Sequence, residues 1–157
     1  MTTLILVRHA KSDWGTPELD DHDRPLNPRG LRDAPAMAER LAATGITIDA
    51  ILASTALRAR TTAGFFGARF ELDPELSPDL YGSSPKTLLA AAAGRGAASV
   101  MIVAHDPGMT MLAAGLSDGG IGHMPTCAVA TFRWETPEWD VATAIDPDAW
   151  SFDAPGR

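Results

Sequence analysis

The order of apolar runs and helical periods predicts an α/β fold, a three-layer sandwich whose mostly parallel central sheet is flanked by helices. Three observations carry this prediction. Residues 3–8 and 99–104 are nearly continuous apolar runs, the pattern of strands buried on both faces of a parallel sheet. Each run is followed by a helix-start signal, Asn27-Pro28 after the first and Asp106-Pro107 after the second. Between them strand and helix patterns alternate. The 157 residues, 45% apolar and 21% charged, suit one domain spanning 1–157. A chain of this length buries roughly 70% of its unfolded surface and needs no disulfide or structural metal.

The elements follow in order. After the strand at 3–8, a loop rich in Asp, Gly and Pro runs to Pro25. The helix that Asn27 caps should bury Leu31, Ala34, Ala38, Leu41 and Ala42 on one face, with Pro35 kinking it or delaying its start. Residues 47–53 read as a second buried strand, and Ser54 or Thr55 can cap a helix reaching about Gly67. A short strand is expected at 70–72, and Ser84-Pro85 opens a third helix through Leu88 and Leu89. Beyond the strand at 99–104, a capped helix runs through Met111, Leu112 and Leu116. Residues 127–134 and 139–144 are expected as closing strands, and the tail from Asp146 carries little pattern.

The net charge of −7 argues against nucleic acid or an anionic membrane as a partner for the bulk surface. Of the 13 basic residues only Lys11 and Lys86 are lysine, a bias that suits planar recognition of oxyanions. Cys127 stands alone, so no internal disulfide can form. The run Leu4 to Val7 is too short for a signal peptide or membrane span. A cytoplasmic monomer is expected, with Cys127 a small buried hydrophobe.

In a parallel sheet, ligands bind beyond the carboxyl ends of the strands. Arg8 and His9 leave the first strand there, Arg58 sits in the first turn of the helix after the second, and His105 leaves the strand at 99–104. If those strands are neighbours, two His and two Arg converge on a site for a doubly charged tetrahedral anion, since Arg offers forked donors to phosphate oxygens. Helices starting beside Arg58 and His105 add N–H donors. A neutral imidazole in such a pocket can attack phosphorus if its other nitrogen holds the proton in a hydrogen bond. Arg60 rivals Arg58, and periodicity alone does not choose between them. Arg24 reads either as a phosphate ligand or as a loop salt bridge with Asp20, Asp21 or Asp23. His22 lies among those aspartates, but the spacing matches no common metal site, and no metal or other cofactor is assigned. Ser12 and Trp14 flank the loop after His9, where they touch substrate or, for Trp14, pack on the core. His123, in a Gly-rich turn, reads as peripheral.

Four ordered segments, Arg8-His9-Ala10, Asp23-Arg24-Pro25-Leu26, Ser54-Thr55-Ala56-Leu57-Arg58-Ala59 and Ala104-His105-Asp106-Pro107-Gly108, resemble the signatures of the histidine phosphatase superfamily, most closely its SixA-like phosphohistidine phosphatases. The resemblance spans residues 1 to about 116 and implies a phosphoglycerate mutase-like sandwich. It implies that His9 is the nucleophile, that Arg8, Arg58 and His105 complete the phosphate pocket, and that Arg24 is a further contact. Other branches use an acid to protonate an alcohol leaving group. None is obvious here, although Glu75 and Asp79 lie in the segment from which one would reach the site. The sequence departs from the family at Ala10, Ala104 and Asp106. An ionised Asp106 facing the pocket would repel phosphate, so its side chain is expected to cap the following helix. The implied substrate is a phosphohistidine-bearing protein. The alternatives are a small-molecule phosphomonoesterase or mutase, and a phosphate- or phosphoprotein-binding module that does not turn over.

Overall fold

In the computed structural model, which describes residues 1–156, six strands form one sheet. The elements are β1 (Thr2–Arg8), α1 (Pro28–Ala42), β2 (Ala50–Ser54), α2 (Leu57–Phe70), β3 (Glu75–Ser77), α3 (Pro85–Arg95), β4 (Ser99–Ala104), α4 (Gly108–Leu116), β5 (Val129–Trp134), α5 (Trp139–Ala142) and β6 (Ala149–Asp153). The strand order is β3-β2-β4-β1-β5-β6. The pairs from β3 through β1 are parallel, and β5 and β6 add on antiparallel.

Alternation along the strands divides the core into two layers. Leu4 and Leu6 of β1 and Val100 and Ile102 of β4 face Leu88, Met109, Leu112 and Trp139 from α3, α4 and α5. Ile5, Val7, Met101 and Val103 point the other way, onto Ala34, Met37 and Leu41 of α1 and Ala59, Ala63 and Phe66 of α2. This is the three-layer sandwich. The two strands predicted from unbroken apolar runs, β1 and β4, are enclosed on both faces, as is β2.

Local chemistry accounts for the helix starts. Asn27 Oδ1 accepts the Gly30 N–H at 2.9 Å with Pro28 behind it, and Ser84 Oγ accepts the Thr87 N–H at 3.2 Å. Pro35 neither delays nor ends α1. Pro35 and Leu31, whose carbonyl loses its partner at the proline, both lie exposed, where water can satisfy that oxygen.

Four expectations need correction. Leu31 is 48% exposed, because the buried arc of α1 runs through Gly30, Ala34, Met37, Ala38 and Leu41. No strand forms at 70–72. There α2 continues to Phe70, Glu71 adopts a left-handed conformation, and the Leu72 N–H returns to the Gly67 carbonyl at 2.9 Å, which places β3 three residues later. Residues 139–142 are helical, since Trp139 and Ala142 are buried at helical spacing while Val141 is exposed. The second closing strand is β6, in the tail, a mostly exposed edge strand whose sequence carries little alternation.

Candidate active site

The parallel register aligns Arg8 of β1 with Ala104 of β4, so His9 and His105 leave adjacent strand ends at the same level. The His9 N–H donates to the Ala104 carbonyl at 3.1 Å, and the two imidazole centroids lie 5.1 Å apart. The adjacent strand β2 ends at Ser54 and leads into α2, which carries Arg58 in its first turn. The helix starts one to two residues later than a Ser54 or Thr55 cap would give, since Ala56 occupies the cap position and the Ser54 hydroxyl oxygen accepts its N–H.

His9 and His105 are both buried. His9 Nδ1 lies 2.7 Å from the Ala10 carbonyl oxygen, which can only accept, so Nδ1 carries the proton and Nε2 carries the lone pair. Burial pushes the His9 pKa down to about 3, and the nearby His105, Arg58 and Arg8 act in the same direction. Burial and then Arg58 push His105 down to about 4. Both rings are therefore neutral at physiological pH in the ligand-free protein. A bound dianion would oppose that shift by favouring the imidazolium of His105.

Three guanidinium groups frame the rings, each held from behind. Arg8 Nη1 donates to the Met124 carbonyl at 2.9 Å. Arg58 donates from Nη1 to the Asp21 backbone oxygen at 2.6 Å and from Nη2 to the Asp21 carboxylate at 2.9 Å. Arg24 Nη2 donates to Ser12 Oγ at 2.6 Å, and its Cζ stacks 3.4 Å above the Trp14 ring. Arg8 Nε, Arg24 Nε and Nη1, Arg58 Nε and His105 Nδ1 are all buried without a hydrogen-bond partner among the described residues. So many unsatisfied buried nitrogens are costly unless a ligand completes them.

The donors belong to side chains lining a cavity of about 210 Å³, shared by Arg8, His9, Arg24, Arg58, His105 and Trp14. Two carboxylates, Asp21 and Asp106, also line it, against the four cations Arg8, Lys11, Arg24 and Arg58. The balance favours an anion of charge near −2. The hydrogen bond from Tyr81 to the Asp21 carboxylate (2.5 Å), followed by Arg58, holds the Asp21 carboxyl below the usual range, so it stays ionised. Asp106, just before the cap residue Pro107, bonds the first turn of α4, its two oxygens accepting the Thr110 N–H and hydroxyl at 2.8 Å each, but contrary to expectation it also faces the cavity, with Oδ2 3.5 Å from Arg8 Nη1, whose charge offsets its own. The α4 start offers the anion fewer donors than expected, since the Met109 and Thr110 N–H groups are already bonded to the His105 carbonyl and Asp106.

Other sequence candidates lie elsewhere. Glu75 and Asp79 line a separate groove beside β3 and α3, where Glu75 takes the Arg95 guanidinium at 2.9 Å, so neither is a pocket acid. Arg24 lines the cavity and also makes the loop ion pair, with Nε 3.5 Å from Asp21 Oδ1. His22 hydrogen-bonds Thr55 Oγ at 2.8 Å. Among the described residues no three His, Cys, Asp or Glu side chains are grouped to hold a metal ion. Cys127 is buried, with its thiol pushed up to about 12 by that burial. Sequence reasoning missed the support from Asp21, Tyr81 and Ser54. The i,i+3 spacing of Asp21 and Arg24 and the position of Ser54 at a strand end were the available signals.

The model of the histidine phosphatase superfamily (branch 1) matches residues 4–82. Among solved structures, the fold is similar to the SixA protein of Agrobacterium tumefaciens at 30% identity, covering 99% of each chain with a TM-score of 0.81. It is also similar to the protein histidine phosphatase SixA complexed with tungstate, at 25% identity over 98% of this chain and 95% of that one, TM-score 0.75. An uncharacterised protein of Mycobacterium leprae is 31% identical over 157 residues, spanning 88% of this chain and 96% of the relative. No helix among the described residues is long and apolar enough to cross a membrane.

Proposed function

The chain belongs to the histidine phosphatase superfamily, on its SixA-like branch, and from that premise we propose that it removes phosphoryl groups from phosphohistidine in proteins through a covalent intermediate at His9. The observation that carries the reading is the set of buried nitrogens without a hydrogen-bond partner, Arg8 Nε, Arg24 Nε and Nη1, Arg58 Nε and His105 Nδ1, beside two imidazoles 5.1 Å apart. A SixA relative complexed with tungstate supports it, since tungstate is also a tetrahedral oxyanion.

In the first displacement the Nε2 lone pair of His9 forms a bond to phosphorus while the substrate's N–P bond breaks, its electron pair going to the leaving ring. A phosphohistidine whose other nitrogen is protonated departs as neutral imidazole. The guanidinium groups offset charge on the equatorial oxygens, and positioning with electrostatics supplies most of the catalysis. His105, protonated once the dianion is bound, donates from Nδ1 to the transferring group. In the second displacement water attacks phosphorus, the His9–P bond breaks with its pair returning to Nε2, inorganic phosphate leaves, and the water's proton passes to solvent.

The nature of the pocket carboxylates favours a phosphoramidate over an ester. An alkoxide needs a proton on departure. Asp21 is held ionised by Tyr81 and Arg58, and both oxygens of Asp106 already accept from Thr110, so neither is set up to supply one. Acid-free quenching with a labelled phosphodonor tests the reading. An acid-labile, alkali-stable phosphoenzyme is expected, absent in His9→Ala. Hydrolysis of a phosphohistidine protein is expected to exceed that of p-nitrophenyl phosphate and sugar phosphates. Equal rates would favour a small-molecule phosphomonoesterase, and no phosphoenzyme with any donor would favour a binding module.

A further inference from the structure

The phosphate pocket does not use the whole of its most exposed wall. Trp14 is 72% exposed, more than any other large hydrophobic residue among those described, yet it lines the cavity alongside His9 and Arg24. One face of its indole is covered by the Arg24 guanidinium at 3.4 Å, and at this exposure the rest lies open to solvent.

The loop holds the ring in that position. Residues 11–13 and 25–27 run side by side, with the Asp13 N–H donating to the Pro25 carbonyl at 2.8 Å, the Asn27 N–H donating to the Lys11 carbonyl at 3.0 Å, and a bridge between Ser12 and Leu26. Asp13 Oδ1 then accepts the Gly15 N–H at 2.7 Å, a turn that brackets Trp14. A large aromatic side chain fixed at a pocket mouth with so much surface in water recovers that cost when a ligand covers it.

We propose that Trp14 is a specificity-determining residue whose open indole surface seats the flat ring that carries the phosphoryl group. The inference rests on the phosphatase reading above and deepens it. With the phosphoryl group among the inner donors of Arg8, Arg24 and Arg58, the group bearing it points out of the cavity, past Trp14, which among the described residues is the one aromatic side chain in the cavity wall apart from His9 and His105. An imidazole there stacks on indole, and an aliphatic carrier does not. Arg24, fixed between Ser12 and Trp14, couples the ring seat to the anion seat.

The test compares two ligands that differ by a ring, inorganic phosphate and phenylphosphonate, titrated calorimetrically against the wild type, Trp14→Ala and Trp14→Phe. Trp14→Ala should weaken phenylphosphonate about fivefold more than it weakens phosphate, and Trp14→Phe should recover most of that difference. Equal losses for both ligands would mean that Trp14 acts only by holding Arg24, and no loss for either would leave it without a role; both overturn the proposal. The comparison needs no turnover. A wild type that fails to form a phosphoenzyme therefore sinks the phosphatase reading while the affinity ratio still decides the role of Trp14. With turnover, kcat/KM for a histidine-phosphorylated protein should fall further in Trp14→Ala than kcat/KM for phosphoramidate, mainly through KM.

Discussion

Ser54 Oγ lies 2.8 Å from His105 Nε2 and also accepts the Ala56 N–H at 3.2 Å, so one hydroxyl at the end of β2 orients the imidazole at the end of β4 and steadies the start of α2. It leaves Nδ1 of His105 as the ring nitrogen free for a ligand.

Ser54→Ala should therefore impair the site out of proportion to the atom removed. It strands a buried ring nitrogen, a loss of about 1–3 kcal/mol, and kcat/KM should fall about tenfold or more. Ser54→Thr keeps the hydroxyl and should recover part of the loss. An alanine variant with wild-type kinetics would show that His105 needs no such support.

The histidines make stability depend on pH. Both have folded-state values below the ordinary 6.5, so folding favours the neutral rings. That stability is complete above pH 6.5 and is lost progressively as pH falls, down to about 4 for His105 and about 3 for His9. Urea unfolding between pH 7.5 and 4.5 should show a falling midpoint, with a shallower fall in His105→Ala. Saturating phosphate should reduce the fall, because the anion favours the imidazolium. Equal slopes in wild type and variant would refute the assignment.

Gly30 of α1 lies directly against the backbone of the loop that follows His9. A Cβ there would stand 2.2 Å from the Lys11 carbonyl oxygen, a backbone atom that cannot rotate away. Gly30→Ala should cost about 1–3 kcal/mol through overpacking, read as a lower denaturation midpoint. Gly64→Ala, in the open on α2, is the control, since its Cβ meets nothing within 4 Å.

Glu75→Gln and Asp79→Asn should change phosphatase rates by less than about twofold, since both side chains line the β3–α3 groove rather than the His9 cavity. The exposed Glu75–Arg95 pair contributes little stability either, about 0–1 kcal/mol as for surface ion pairs generally. A large loss of activity on phosphate esters alone would restore one of them as an acid.

Legibility in the sequence followed the range of the interactions. β1 and β4 were readable because burial on both faces leaves unbroken apolar runs, and α1 and α3 because Asn27 and Ser84 act on N–H groups three residues away. The exposed β6 has no such mark, because its ladder partner β5, not its own side chains, makes it a strand. The same division runs through the site. His9, Arg58 and His105 are local to strand ends and a helix start. Their supports lie far off in the chain: Met124 holds Arg8 across 116 residues, Thr62 accepts the Ala10 N–H across 52, and Asp21 holds Arg58 across 37.

By itself, then, the sequence determined the layers, the alternation of strand and helix as far as α4, and the residue types delivered to the carboxyl ends of β1, β2 and β4, because apolar period and capping act within one turn or one strand. Only the tertiary structure decided which nitrogens stay free: Asp21, Ser12, Ser54 and Met124 take the outer nitrogens and leave Arg8 Nε, Arg24 Nη1, Arg58 Nε and His105 Nδ1 without a hydrogen bond. Whether a donor is occupied depends on which distant oxygen the fold brings within 3 Å, and no local pattern encodes that distance.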